Sequence, residues 1–419
     1  MYQEVLLDNN LTLVYEKLPY VRSVSFGLWV GTGSRYESPG LNGISHFIEH
    51  MLFKGTETRT AKDIAIAIDN VGGQINAFTG KECTCIYTKT LDEDLEIAIE
   101  IVADMLFHSR FDPAHIETEK KVIAEEIGMY EDYPEEMVHD MLTEEVWSGN
   151  SLGYPILGSY QTVLGITRED ILEYMRNYYV PENSVISVAG NFDEQKLVGL
   201  VRKYFDGWKS NNFCKMVAYK PWFNRSIKVK RKDTEQVHMC LGFRGVKHGE
   251  ESMYSLLTLN NILGGGMSSR LFQKVREELG LAYSIYSYPT SYRDVGMFTI
   301  YAASSPQQFE EVIRHIQNEI INLTHDTLTE SDVEKAKNQL KGSFILGLDS
   351  ISSRMNSMGK SQLMMGRIRT PDEVLDSISR VSLESIEAVI QYVFKTEQMG
   401  LSAIGDIDFD PNLLDTIKF

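Results

Sequence analysis

Residues 43–56 read GISHFIEHMLFKGT. Within them His46 and His50 stand four apart, so on a helix both imidazoles project from one face and can point at a single ion. Glu49 follows His46 by three residues on the same side, where its carboxylate can reach a water on that ion. The neighbours Ile44, Phe47, Ile48, Met51, Leu52 and Phe53 are apolar, which predicts a buried helix. Buried imidazoles and carboxylates need partners, because an unpaired polar group in an apolar setting is costly. The stretch therefore predicts a metal-binding helix that also carries a proton-transfer group.

Two histidines leave such a centre incomplete, since metal sites that do chemistry usually take three protein ligands. HIETEKKVIAEEIGMYED (115–132) reads as a long helix. Its Glu119 and Glu126 are seven apart, two full turns, and share a face, while Glu125 turns away. Spacing alone leaves Glu119, Glu125, Glu126, His108, His115 and His139 all open as the third ligand.

Working outward, the chain repeats itself. VISVAGNFD (185–193) matches LSAIGDID (401–408), with Gly190 opposite Gly405 at an offset of 215. The same offset places TEKKVIAEEIG opposite VEKAKNQLKGS, and VSFGLWVGTGSR resembles QVHMCLGFRGVKH. A repeat this long means two domains of like fold. The expected division is 1–209 and 227–419, joined by a polar linker at 210–226 that contains Pro221. Runs such as GGQINAFTGKECTCIYTKTL suggest hairpins, so the fold class is α+β: in each domain a mostly antiparallel sheet with helices on one face. Opposite Glu126 stands Lys341, and opposite the HFIEH helix stands LLTLNNILGGG, which lacks histidine. One metal site per chain, in the first half, is expected.

Composition narrows the partners. The chain carries 41 basic and 59 acidic residues, a net charge of −18. That excludes nucleic acid and favours cationic peptides. Gly264, Gly265 and Gly266 fit neither a P-loop nor a dinucleotide fingerprint, and read as a tight turn. No apolar run approaches the roughly 20 residues needed to cross a bilayer, so no membrane partner is expected. The opening MYQEVLLDNNLTLVYEK has no leader features, which makes the cytoplasm the expected compartment. Cys83, Cys85, Cys214 and Cys240 read as free thiols of a reducing environment.

The order H-x-x-E-H is the zincin motif inverted, and with it the chain resembles the pitrilysin-type metallopeptidases over nearly its whole length. The likeness is to the short class that includes the mitochondrial processing peptidase β-subunit and its bacterial relatives. The resemblance implies zinc bound by His46, His50 and Glu126, the glutamate that follows His50 by 76 residues. It implies Glu49 as general base and Glu119 as support behind the ligands. It implies that Asn76, Ala77 and Thr79 lie on a sheet edge that pairs with an extended peptide substrate. It also implies that Arg276 and Tyr283 donate to the scissile carbonyl, completing the site of a second copy in a homodimeric chamber. The function expected is that of a zinc endopeptidase acting on unfolded or extended peptides. The alternatives are a structural subunit of the same fold, or the catalytic half of a heterodimer with a metal-free sister.

Overall fold

The computed structural model describes residues 2–210, 219–325 and 328–408. Cys214 and residues 211–218 of the expected linker lie outside them. In chain order the first half carries β1 (Gln3–Leu6), β2 (Thr12–Lys17), β3 (Ser23–Val30), α1 (Ile44–Leu52), α2 (Ala61–Asp69), β4 (Gln74–Thr79) and β5 (Thr84–Leu91). It continues with α3 (Leu95–His108), α4 (Pro113–Glu131), α5 (Pro134–Val146), α6 (Tyr160–Gly165), α7 (Arg168–Tyr178), β6 (Ser184–Gly190) and α8 (Glu194–Phe205). The second half carries β7 (Ser226–Arg231), β8 (Val237–Gly245), α9 (Met253–Leu263), β9 (Ala282–Ser291), β10 (Gly296–Ser304) and α10 (Phe309–His325). It ends with α11 (Glu330–Gly347), α12 (Ile351–Met365), α13 (Pro371–Ser379), α14 (Leu383–Val393) and β11 (Met399–Gly405).

Each half supplies one sheet. The first has strand order β1-β2-β6-β3-β5-β4 and the second β7-β11-β8-β10-β9. One pair in each is parallel, β2 with β6 and β7 with β11, and the remaining ladders are antiparallel. The α+β class and the doubled sheet are therefore as the repeat indicated. Central strands β3 and β6 are buried on both faces, and their residues alternate between two cores. Phe26, Leu28 and Val30 face the core shared with α1 and α3, while Trp29 faces the opposite side. Period-two alternation on a doubly covered strand requires this split.

The covering of that opposite side departs from the sequence reading. Packing divides the chain into Met1–Gly128 with Tyr154–Ala218 and Leu346–Thr370, and Met129–Gly153 with Tyr219–Ile345 and Pro371–Phe419. These units are not the contiguous spans 1–209 and 227–419: α12 belongs with the first sheet and α5 with the second. Each sheet thus has helices on both faces, the second face being closed by one helix from the other half of the chain. Ser187 on β6 donates its hydroxyl to the Met355 carbonyl of α12 at 2.8 Å. Ser402 on β11 donates to the Val138 carbonyl of α5 at 2.7 Å.

Close approach makes the seating tight. A Cβ at Gly27 would lie 2.4 Å from Met355 Sδ, and one at Gly359 would lie 2.2 Å from Trp29 Nε1. On the second sheet, a Cβ at Gly242 would lie 2.8 Å from Leu142, and one at Gly400 2.4 Å from Val146. Among the described residues, no helix is long and apolar enough to cross a membrane.

Candidate metal centre

Helix α1 is buried along Ile44, Phe47, Ile48, Met51 and Leu52, which anchors it in the first core. Its remaining face carries His46, Glu49 and His50. The two imidazole rings stand edge to face with centroids 4.6 Å apart. Helix α4 brings Glu126 to them: its Oε2 lies 3.6 Å from His50 Nε2 and 3.9 Å from His46 Nε2. These separations are too long for hydrogen bonds. They are near the edge of a tetrahedron of donors about 2.0–2.1 Å from a zinc ion, which is about 3.4 Å. Ligand atoms of all three residues lie within 4.8 Å of one another.

The surroundings suit a cation held by neutral imidazoles. His50 Nδ1 lies 3.1 Å from Glu119 Oε2, which directs Nε2 toward Glu126. Glu119 is buried, and its other oxygen meets Lys54 Nζ at 2.7 Å. Burial, with His50 as a lesser cause, lowers the His46 pKa to about 4, so at neutral pH its ring keeps a lone pair for a metal. His46 Nδ1 is buried and has no hydrogen-bond partner among the described residues. Glu126 remains 43 % exposed in its side chain, leaving the group accessible from solvent.

Glu49 sits beside this trio rather than within it. Its Oε2 accepts a hydrogen bond from Thr79 Oγ1 at 2.5 Å. Burial pushes the Glu49 carboxyl above the ordinary glutamate range, against the pull of Thr79 and His50. A raised carboxyl pKa suits a group that must take up and release a proton. Thr79, expected on the peptide-binding edge, here holds Glu49. Asn76 and Ala77 lie beside it on β4, the last strand of the sheet. The Ala77 N–H donates to Asn76 Oδ1 at 2.8 Å.

The open candidates resolve by geometry. Glu125 is exposed on the other side of α4, and His115 is exposed. His108 pairs with Asp104 at 3.1 Å. His139 lies in the second unit, 2.6 Å from the Tyr288 hydroxyl and 3.2 Å from Cys240 Sγ. Cys83, Cys85 and Cys240 are buried thiols.

Arg276 and Tyr283 also belong to the second unit. Arg276 sits on a π-helical segment, Phe272–Glu278, with its guanidinium 4.7 Å from the Phe272 ring centre. Tyr283 opens β9 and is 74 % exposed. Both line an open depression of about 530 Å³ together with Glu235, Glu277, Ser304 and Gln308. Sequence reasoning missed Lys54, which lies just past the end of α1 and reaches back to Glu119. It also missed the Thr79–Glu49 bond, which joins residues 30 apart and left no local signal.

Comparison with known proteins finds two family models on successive stretches of the chain. Residues 12–159 match the family model described as Insulinase (Peptidase family M16), and residues 165–340 match that of the Peptidase M16 inactive domain. A Bacillus subtilis protein named as the uncharacterized zinc protease YmxG is 45% identical over 96% of this chain and 98% of its own. A Streptomyces coelicolor protein named as the uncharacterized zinc protease SCO5738 is 40% identical over 96% of this chain and 89% of its own. Among solved structures, a protease from Helicobacter pylori superposes with a TM-score of 0.90 over 96% of this chain and 99% of its own. At 22% identity that likeness speaks for the fold alone.

Proposed function

We propose that this chain, which belongs to peptidase family M16, is a zinc-dependent endopeptidase with one metal site in its first unit. The observation that carries the reading is the convergence of His46, His50 and Glu126 with Glu49 alongside. The name zinc protease borne by its relatives supports the choice of metal. A zinc ion there would supply Lewis acidity toward a peptide carbonyl and toward water.

The chain's own residues do the rest. His46 stays neutral, and His50 is oriented by Glu119. Glu49, steadied by Thr79, takes a proton from the attacking water and passes it to the leaving amine. The free edge of β4 offers backbone groups at Asn76 and Ala77 to an extended peptide, in the manner of strand addition. Net negative charge favours basic peptides. The buried thiols fit a reducing compartment such as the cytoplasm.

Changing Glu49 to Gln should leave zinc content at one per chain and lower hydrolysis of a quenched peptide by about 10²–10⁴-fold. Full turnover by a zinc-loaded Glu49→Gln protein would remove Glu49 from its role. We further assign Arg276 and Tyr283 as carbonyl donors, acting from a second copy in a homodimer. Mixing Arg276→Ala chains with His46→Ala chains should then restore activity neither has alone. A mixture no more active than its parts defeats that assignment.

A further inference from the structure

The turn that precedes the metal helix grips two separate elements. Ser34, Arg35 and Tyr36 form one short 3-10 turn, and its neighbours continue the chain from β3 toward α1. On one side the turn is fastened to the β4–β5 hairpin. Ser34 N–H donates to the Gly80 carbonyl at 3.3 Å and Arg35 N–H to the Lys81 carbonyl at 2.9 Å. Arg35 Nη1 donates to Glu82 Oε1 at 2.6 Å, with both side chains almost wholly buried. A Cβ at residue 33 would lie 2.2 Å from the Gly80 oxygen, so the turn and the hairpin meet backbone to backbone.

On the other side the same turn holds the start of α1. That helix has no side-chain cap of its own, because its N-cap is Gly43, at φ 97. The Glu37 carboxylate supplies what is missing. Its Oε2 accepts from Gly43 N–H at 2.7 Å and from Asn42 Nδ2 at 2.8 Å, and its Oε1 accepts from Ser45 N–H at 2.9 Å. A carboxylate on the free N–H groups of a helix start gains both hydrogen bonds and the favourable end of the helix dipole. The Tyr174 hydroxyl adds a brace, 3.0 Å from Ser45 Oγ and 2.6 Å from Thr32 Oγ1.

We propose that Arg35 and Glu37 are positioning residues: one strut with two arms that fixes the metal helix against the peptide-pairing edge. The Glu37 arm sets where His46, Glu49 and His50 stand, since Ser45 is next to His46 and the helix is rigid. The Arg35 arm sets the hairpin whose strand β4 carries Asn76, Ala77 and Thr79. Their joint product is the Thr79–Glu49 bond, which spans the two elements. The inference rests on the zinc endopeptidase reading, and it assigns different parameters to the two arms.

The test uses the full chain with three readouts: zinc affinity by chelator competition, the visible spectrum of the cobalt(II)-substituted protein, and binding of a fluorescein-labelled arginine-containing peptide in the Glu49→Gln background. Glu37→Gln should weaken zinc binding by about 10–100-fold and alter the cobalt spectrum, with peptide affinity changed less than threefold. Glu37→Asp should recover part of the loss. Arg35→Met should weaken peptide binding at least fivefold with zinc affinity within twofold. If both variants alter zinc and peptide binding by equal factors, or alter the melting temperature alone, the strut is refuted. Should Glu37→Gln not fold, Tyr174→Phe replaces it: weakened zinc binding supports the strut and unchanged binding refutes it. A wild-type chain that binds zinc yet cleaves nothing would defeat the enzymatic reading while these binding measurements still decide the strut.

Discussion

The two sheets receive their exchanged helices through the same geometry and fill the contact with different chemistry. On the first, Met355, Met358 and Met364 of α12 lie against Trp29, Cys83 and Cys85. On the second, α5 places His139 among Tyr286, Tyr288, Tyr301 and Cys240. Ser187 and Ser402, which anchor the helices, occupy equivalent positions at the offset of 215, and glycines open the space on both sides. The repeat has kept the features that seat a helix and let the filling diverge. The same split holds at the candidate metal centre, where Glu126 lies near two imidazoles while its counterpart is Lys341. Scaffold geometry tolerates little change because backbone spacing is shared by many residues, whereas side-chain fillings can be swapped at a given volume.

If the exchange is essential to each sheet, residues 1–209 expressed alone should not fold, because the Gly27–Trp29 face would lack α12. Circular dichroism and size exclusion should report an aggregated or molten product. A monomeric 1–209 with cooperative unfolding would show that the helix is dispensable.

The two seats should differ in tolerance. Gly359→Ala drives a methyl into the rigid Trp29 indole, whereas Gly400→Ala meets a Val146 methyl that can shift with its helix. Overpacking of this kind costs about 1–3 kcal/mol, with Gly359→Ala at the upper end and Gly400→Ala at the lower. Urea unfolding of the two proteins measures the difference, and a reversed order would break the comparison.

The smallest effect concerns pH. Burial lowers the His139 pKa, and His238 adds to it, against the opposing influence of Asp140 and Glu135. The unfolded imidazole, with its ordinary value near 6.5, then binds protons before the folded one. Stability is therefore fully present above about pH 6.5 and declines as pH falls toward the folded value. The filling on the first sheet contains no histidine and should be insensitive over this range. His139→Gln should flatten the decline of the urea midpoint between pH 7 and about 5.5, and an unchanged slope would place the sensitivity elsewhere.

Much of this was legible in the sequence, and the reasons differ from element to element. The candidate metal helix announced itself because His46 and His50 share one local period. The doubled sheet was visible because β6 and β11 keep both register and terminal glycine. The exchange of α5 and α12 was not visible. A repeat identifies which segments are alike but not which sheet each one covers, and PEEMVHDMLTEEV is too polar to point to a partner. Glu126 could not be separated from Glu119 by spacing, since both lie on one face of α4. Only the third dimension puts one against both Nε2 atoms and the other behind His50. The Arg35 and Glu37 contacts were equally silent, being made by a turn with no periodicity.

The bond between the Ala77 amide and the Asn76 carboxamide makes β4 a rim that stoppers itself. A bare row of backbone donors invites any strand, including that of a neighbouring copy, to zip onto it. Here the donor is already occupied, by a side chain that needs only a rotation to withdraw. Casual visitors gain nothing by displacing it, while a long, well-aligned backbone recovers the loss over several residues.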